Sequence, residues 1–222
     1  MTNFTKIAVI PARGGSTRLK NKNMYPLNGI PLIRWITETV INSQGFDKVI
    51  VSTDDDNIFN CVSDLDVSRH HRPKHHATTK STVLDAMIDL MDSIDRYDIF
   101  SYFLPTSPFI EIEDIKKGIR FFDDQSIDSV VGMTEMPVPI QLACIISNND
   151  VLPVFDNLEC GITNSKFIKK YYKPSGFYMS RWENLLECKN FFKGNVKGVI
   201  MPQERCIDID TIKDIKHAES TL

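Results

Sequence analysis

Two groups of charged side chains near opposite ends of a 222-residue chain have the composition for phosphate chemistry. The first is the run Pro11-Ala12-Arg13-Gly14-Gly15-Ser16-Thr17-Arg18-Leu19-Lys20-Asn21-Lys22-Asn23, which directly follows a short apolar stretch. Two glycines let backbone N–H groups turn toward an anion, and Arg13, Arg18, Lys20 and Lys22 concentrate positive charge in the same loop. A polyphosphate needs both, because its charge must be neutralised at close range. The spacing is neither GxxxxGKS/T nor GxGxxG, which disfavours a Walker-type ATPase and a dinucleotide-binding turn. A basic surface loop with a glycine turn is the plainer alternative.

The second group is Asp208 and Asp210. In an extended segment, side chains two apart point to the same side, so this pair can converge on one hard cation. Mg²⁺ takes one or two carboxylates together with phosphate oxygens and water. The competing assignment makes Asp210 the cap of a helix over 211–219 and leaves Asp208 merely exposed. The residues alone leave both open. His70-His71-Arg72-Pro73-Lys74-His75-His76 raises a zinc hypothesis, but Pro73 breaks any helix that would align the histidines, and no cysteine is near. The expected role is to flank Arg72 in a substrate-facing loop, or simply to be exposed. No Ser-His-Asp arrangement is legible, and Trp35 and Trp182 read as core or interface aromatics.

The elements that must position these groups alternate. Lys6–Pro11, Lys48–Ser52, Ile99–Leu104 and Ser129–Thr134 read as buried strands. Pro31–Ser43, Asp54–Ser63, Ser81–Ile94 and Ile112–Phe122 read as helices. This alternation predicts an α/β fold, with a mostly parallel central sheet flanked by helices. Such sheets bind ligands beyond the carboxyl ends of their strands, where the motifs above lie. After Thr134 the rhythm changes: Ile140–Ile146 reads as a strand, and Ser147 to Tyr172 as irregular. Ser175–Ser180 and Val196–Met201 resume strand patterns, and Thr211–Glu219 closes as a helix. The chain is expected to form a single domain over 1–222, with 135–175 a small insertion at the sheet edge suited to dimerisation.

Composition narrows the classes further. Lys and Arg number 26 against 29 Asp and Glu, a net charge of −3, so no global field holds a nucleic-acid backbone. Five dispersed cysteines without a CxxC pair argue against a disulfide scaffold or zinc ribbon and fit a reducing compartment. The N-terminal residues lack a signal-peptide pattern, and no run reaches the ~18 apolar residues of a membrane span. The expectation is a cytoplasmic protein with no membrane partner.

Six segments in order resemble the acylneuraminate cytidylyltransferases, which make CMP-activated nonulosonic acids. They are Ile10–Asn23; Val51-Ser52-Thr53-Asp54-Asp55; Arg72-Pro73; Leu104-Pro105-Thr106-Ser107-Pro108-Phe109; Lys173-Pro174-Ser175-Gly176-Phe177-Tyr178; and Asp208-Ile209-Asp210-Thr211-Ile212-Lys213-Asp214. The resemblance implies a Rossmann-like nucleotidyltransferase fold, a homodimer, and conversion of CTP and a small acidic sugar to a CMP-sugar and pyrophosphate, for surface-polysaccharide synthesis. It implies that Ala12, Arg13, Gly14, Gly15, Ser16, Arg18, Lys22, Asn23, Arg72 and Thr82 bind the nucleotide. Leu104, Pro105, Thr106, Ser107, Lys173, Ser175, Gly176 and Tyr178 would meet the sugar. Asp208 and Asp210 would hold Mg²⁺ and, with Arg13 and Lys22, form the catalytic set.

Departures from the family cluster on the sugar side. Leu104 stands where glutamine is usual, Thr79 where aspartate is frequent, and Asn164 or Ser165 where arginine is expected. Lys173 replaces another arginine, and a lysine cannot repeat its two-pronged grip on a carboxylate. Thr17 replaces a frequent lysine on the nucleotide side, where Arg18 can compensate. The nucleotide chemistry thus reads as retained. The alternatives are CMP-Kdo synthesis, a non-catalytic nucleotide-binding protein of the same fold, and a transferase using another nucleoside triphosphate.

Overall fold

Lys6–Pro11 (β1) is buried on both faces, as its unbroken apolar run demands of a central parallel strand. A computed structural model describes residues 4–78, 81–164 and 169–222. The remaining elements, in chain order, are the short pair Pro26–Leu27 (β2) and Ile30–Pro31 (β3), then Leu32–Asn42 (α1), Lys48–Thr53 (β4), Asp56–Asn60 (α2) and Ser68–His71 (β5). Val83–Ser93 (α3), Ile99–Phe103 (β6), Ile112–Arg120 (α4) and Ser129–Glu135 (β7) follow. Cys144–Ser147 (β8), Asp150–Pro153 (β9), Asp156–Glu159 (α5), Tyr172–Arg181 (β10), Trp182–Cys188 (α6), Val196–Ile200 (β11) and Ile212–Glu219 (α7) complete the set.

The central sheet has seven strands in the order β11-β7-β10-β6-β1-β4-β5. Neighbours are parallel except at β10, which runs antiparallel to both β6 and β7. Strand alternation sorts the core. Ala8 and Ile10 pack with Ile33 and Ile36 of α1 and Ile115 of α4 on one face. Ile7 and Val9 pack with Met87 and Leu90 of α3 and Trp182 of α6 on the other. Each fully buried side chain of this size contributes about 1.5–3 kcal/mol of transfer free energy. Leu27 and Leu32 close a third cluster with Ile209, Ile215 and Ala218, which docks α7 beside the basic loop.

Several boundaries differ from the sequence expectation. The helix expected over Asp54–Ser63 is only α2, because Asp55 caps it by accepting from Asn57 N at 2.9 Å. Ile140–Ile146 is not one strand. Pro139 sets a 3₁₀ turn over Ile140–Leu142, and β8 begins only at Cys144. The stretch expected to be irregular holds β9 and α5. Asn148 and Asn149 take left-handed backbone (φ 49° and 72°), making the two-residue turn that joins β8 to β9. The central sheet claims Glu135 and the residues from Tyr172, so among the described residues 136–164 and 169–171 stand outside it. In the central sheet and the helices that cover it, two elements had no clear sequence signal. The run Ser-Arg-His-His of β5 is polar, as an edge strand permits, and α6 starts without a loop after β10. No helix among the described residues is long and apolar enough to cross a membrane.

Candidate active site

The chain runs from β1 outward through β4 to β5, then returns to place β6 on the other side of β1. That reversal opens a crevice at the carboxyl ends of β1 and β6, where ligands bind in open sheets of this kind. The loops after β1, β5 and β6 meet there. With residues 208–210 they surround an open cleft of ≈ 310 Å³ whose lining includes Arg13, Ser16, Arg18, Lys22, Asn23, Arg72, Ser81, Leu104, Pro105, Thr106, Asp208 and Asp210. The basic loop and the carboxylate pair, 185 or more residues apart in the chain, are thus two walls of one cleft.

The basic loop is tied down from several sides. Buried Asn23 donates from Nδ2 to the Arg13 carbonyl at 3.0 Å, and Ala12 N donates to the Ser52 carbonyl at 2.9 Å. Arg13 Nη1 reaches the Thr78 carbonyl at 2.6 Å. The two glycines do not both present N–H groups to an anion: Gly14 N donates to Asp54 Oδ1 at 2.9 Å. A Cβ on Gly14 would sit 2.9 Å from Asp55 Oδ2 and 3.0 Å from Asp55 Cβ, so that glycine answers to the close approach of Asp55. Asp54 is a positioning residue that sequence reasoning missed, although it stands in the quoted Ser-Thr-Asp-Asp run. Gly15 and Lys20 are exposed, and neither lines the cleft.

Asp210 accepts Lys22 Nζ and Arg18 Nη2, each at 2.7 Å, on its two carboxylate oxygens. The Lys22 and Asp210 side chains are 18% and 23% exposed, and that of Arg18 is 67% exposed. Arg18 is therefore the partner free to leave for a ligand. The helix cap proves to be Thr211, whose side chain and backbone form a capping box with Asp214. This removes the alternative that Asp210 caps α7. Buried Ile209 donates its backbone N to the Thr106 carbonyl at 2.8 Å and separates Asp208 from Asp210. The segment is anchored upstream by Arg205, which grips Asp114 of α4 with Nη1 at 2.5 Å and Nη2 at 3.3 Å. That pair holds the Arg205 guanidinium pKa up. No sequence motif pointed to Arg205.

The opposite wall carries Arg72, which is buried and donates from Nε to the His76 carbonyl at 2.9 Å. Burial pushes its pKa down, Asp54 opposes that, and the nearby positive Arg13 pushes it down further. Two guanidiniums facing one cleft repel one another until an anion enters between them. Thr82 lies between Ser81 and Val83, which line the cleft, but its own hydroxyl caps α3 by accepting from Asp85 N at 3.1 Å.

Of the residues expected to meet the sugar, Leu104, Pro105 and Thr106 line the cleft. Leu104 N donates to the Gly176 carbonyl at 2.8 Å, joining this turn to a bulge in β10. Gly176 has φ +78°, and a Cβ there would lie 2.7 Å from Ile110 Cδ1 and 3.3 Å from the buried Ser107 Cβ. Tyr178 stacks on Tyr102 with ring centroids 4.8 Å apart, and burial and the charge of Asp208 push its pKa up. Ser107, Lys173, Ser175, Gly176 and Tyr178 are not part of the cleft wall itself. Lys173 is exposed on β10 opposite Thr134, and Ser175 is partly buried. Thr79 and Ser165 lie outside the described residues.

Residues 7–177 match the family model described as Cytidylyltransferase. The chain is 28% identical over 218 residues to the pseudaminic acid cytidylyltransferase of Campylobacter jejuni, covering 96% of this chain and 94% of that one. It is 29% identical over 213 residues to the N-acylneuraminate cytidylyltransferase of Escherichia coli, covering 96% of this chain and 51% of that one. Among solved structures, CMP:2-keto-3-deoxy-manno-octonic acid synthetase complexed with CTP shares the fold, with a TM-score of 0.71 at 17% identity over 97% of both chains. The 4-diphosphocytidyl-2C-methyl-D-erythritol synthase of Anaerococcus prevotii shares it as well, with a TM-score of 0.71 at 16% identity over 97% of this chain and 95% of that one. With most of its length inside the family model and the expected walls meeting at one cleft, this chain belongs to the cytidylyltransferase family of nucleotidyltransferases.

Proposed function

We propose that the protein transfers the cytidylyl group of CTP to the anomeric hydroxyl of a nonulosonic acid, releasing pyrophosphate. The observation that carries this reading is the convergence of Arg13, Arg18, Lys22 and Arg72 with Asp208 and Asp210 on a single cleft. The names of the two relatives support the sugar class, since both are cytidylyltransferases of nonulosonic acids.

Arg13, Arg18, Lys22 and Arg72 would neutralise the triphosphate, and buried Asn23 would keep the loop's shape. A phosphate entering beside Arg18 and Lys22 competes with Asp210 for both cations. As they turn to the nucleotide, Asp210 is released as a ligand. Asp208 and Asp210 fit Mg²⁺ by donor type: hard carboxylate oxygens, with room on the cleft side for phosphate and water. Bound there, Mg²⁺ supplies charge screening for the reacting and leaving phosphates. The chain's own task is alignment, since hydroxyl oxygen, phosphorus and leaving oxygen must lie in line. The turn at Leu104–Ser107 and the bulge at Ser175–Gly176 would hold the sugar against the α-phosphate. The product would serve as an activated donor for surface-polysaccharide assembly.

A homodimer through the arm at 136–171 belongs to the same reading. The strands β8 and β9 form their own two-stranded sheet, with Ile145 paired to Leu152 and Ile146 to Val151. All four side chains are 52–64% exposed. A lone two-stranded sheet with apolar residues on both faces is marginal in water, and a second copy would cover it.

The test is pyrophosphate release from each of four nucleoside triphosphates against sialic, legionaminic, pseudaminic and Kdo acids, with and without Mg²⁺. Release specific to CTP, a nine-carbon acid and Mg²⁺ is expected. Release with Kdo alone would reassign the sugar, and CTP binding without release from any acid would overturn the catalytic reading.

A further inference from the structure

Away from the carboxylate pair, the histidine-rich loop packs against α3. His76 Nε2 lies 3.7 Å from Asp89 Oδ2. Donor atoms of His75, His76 and Asp89 all fall within 4.8 Å of one another. His76 Nδ1 is 3.0 Å from Ser81 Oγ, while the Ser81 hydroxyl is 3.4 Å from the Thr82 carbonyl. If the hydroxyl donates to that carbonyl, Ser81 Oγ accepts Nδ1–H, and the imidazole lone pair on Nε2 then faces a carboxylate. That facing pair is satisfied by a proton on Nε2 or by a metal cation held between the two donors. A hydrogen bond on the other ring nitrogen is the usual companion of a metal-bound histidine.

We propose that His75, His76 and Asp89 form a binding site for a late first-row transition ion, Zn²⁺ above all, separate from the Mg²⁺ ligands Asp208 and Asp210. Imidazole nitrogens select such ions over Mg²⁺. Zn–N and Zn–O bonds of about 2.0–2.2 Å in a tetrahedron put donors about 3.3 Å apart. The His76–Asp89 pair is already close to that separation. His75 is exposed and can swing in to complete three ligands, leaving the fourth position to water. Pro73 does keep the histidines off a helix, as the sequence indicated, but a 3₁₀ turn at Lys74–His76 brings two of them together. The third ligand comes from α3, thirteen residues beyond His76. An ion there clasps the loop to α3, and this loop supplies the carbonyls of His76 and Thr78 that hold Arg72 and Arg13. The site stands on its own residues. Only its effect on the cleft rests on the nucleotide reading.

The experiment is a calorimetric titration of Zn²⁺ into the full chain with saturating Mg²⁺ and no nucleotide, so a failed transferase assay has no bearing on it. Wild type, His75→Ala and Asp89→Asn are compared, along with thermal unfolding of each with and without Zn²⁺. Both substituted side chains are partly or fully exposed, so the fold is expected to survive. Wild type is expected to bind one equivalent more than either variant, or to bind it at least tenfold more tightly, and Zn²⁺ to raise only the wild-type unfolding temperature. Equal stoichiometry and affinity in all three would overturn the site, because any remaining binding would belong to the cysteines or to Asp208 and Asp210.

Discussion

The cleft rim and the arm at 136–171 solve opposite problems. At the rim, charged groups are held by named partners: Lys22 and Arg18 by Asp210, Arg13 by the Thr78 carbonyl, Arg72 by that of His76. The arm instead turns Ile145, Ile146, Val151 and Leu152 toward water. A polar site can wait for its ligand because internal ion pairs stand in for it, whereas an apolar sheet has no internal substitute, and the proposed second copy would supply one. The rim is therefore expected to govern rate and nucleotide affinity, and the arm assembly and stability.

Asp208→Asn and Asp210→Asn should break the rim most severely, lowering turnover on the order of a hundredfold or more while far-UV circular dichroism stays unchanged. Near-normal rates in both variants would remove the pair from the chemistry. For the arm, Ile146→Asp with Val151→Asp should weaken self-association by on the order of a hundredfold, read by sedimentation velocity. An unchanged oligomeric state would detach the arm from assembly. Lys22→Ala deletes one charge-assisted contact and should raise KM for CTP about ten- to a hundredfold, on the basis of roughly 1.5–3 kcal/mol for such a bond. A change confined to kcat would place Lys22 at the transition state instead. The smallest effect should come from Gly176→Ala, where positive φ and contact with Ile110 cost about 1–3 kcal/mol of stability. Thermal unfolding measures that loss, and an unshifted midpoint would show that the bulge yields.

Periodicity located β1, β4, β6 and β7, as well as α1, α3 and α4, within a few residues, because each buries a continuous apolar run or stripe. It failed at β5, whose Ser-Arg-His-His run carries no apolar signal because an edge strand is only half covered. It also missed the β8–β9 hairpin, which the Asn148-Asn149 turn could have marked. At the site, the charged residues were legible as types, but their supports were not. Asp54 and Arg205 act through contacts 40 and 91 residues away in sequence, to Gly14 and Asp114. Local pattern carries no trace of such pairs.

The sequence by itself determined the buried central strands, the amphipathic helices α1, α3 and α4, and which residue types reach the ends of those strands, because local burial and charge are written into residue order. Only the tertiary structure decided that Asp210 pairs with Lys22 and Arg18 rather than capping α7, that β10 runs against its neighbours, and that Asp89 joins His75 and His76. Those outcomes depend on how separate segments meet across the sheet, and no spacing along a single chain encodes that distance.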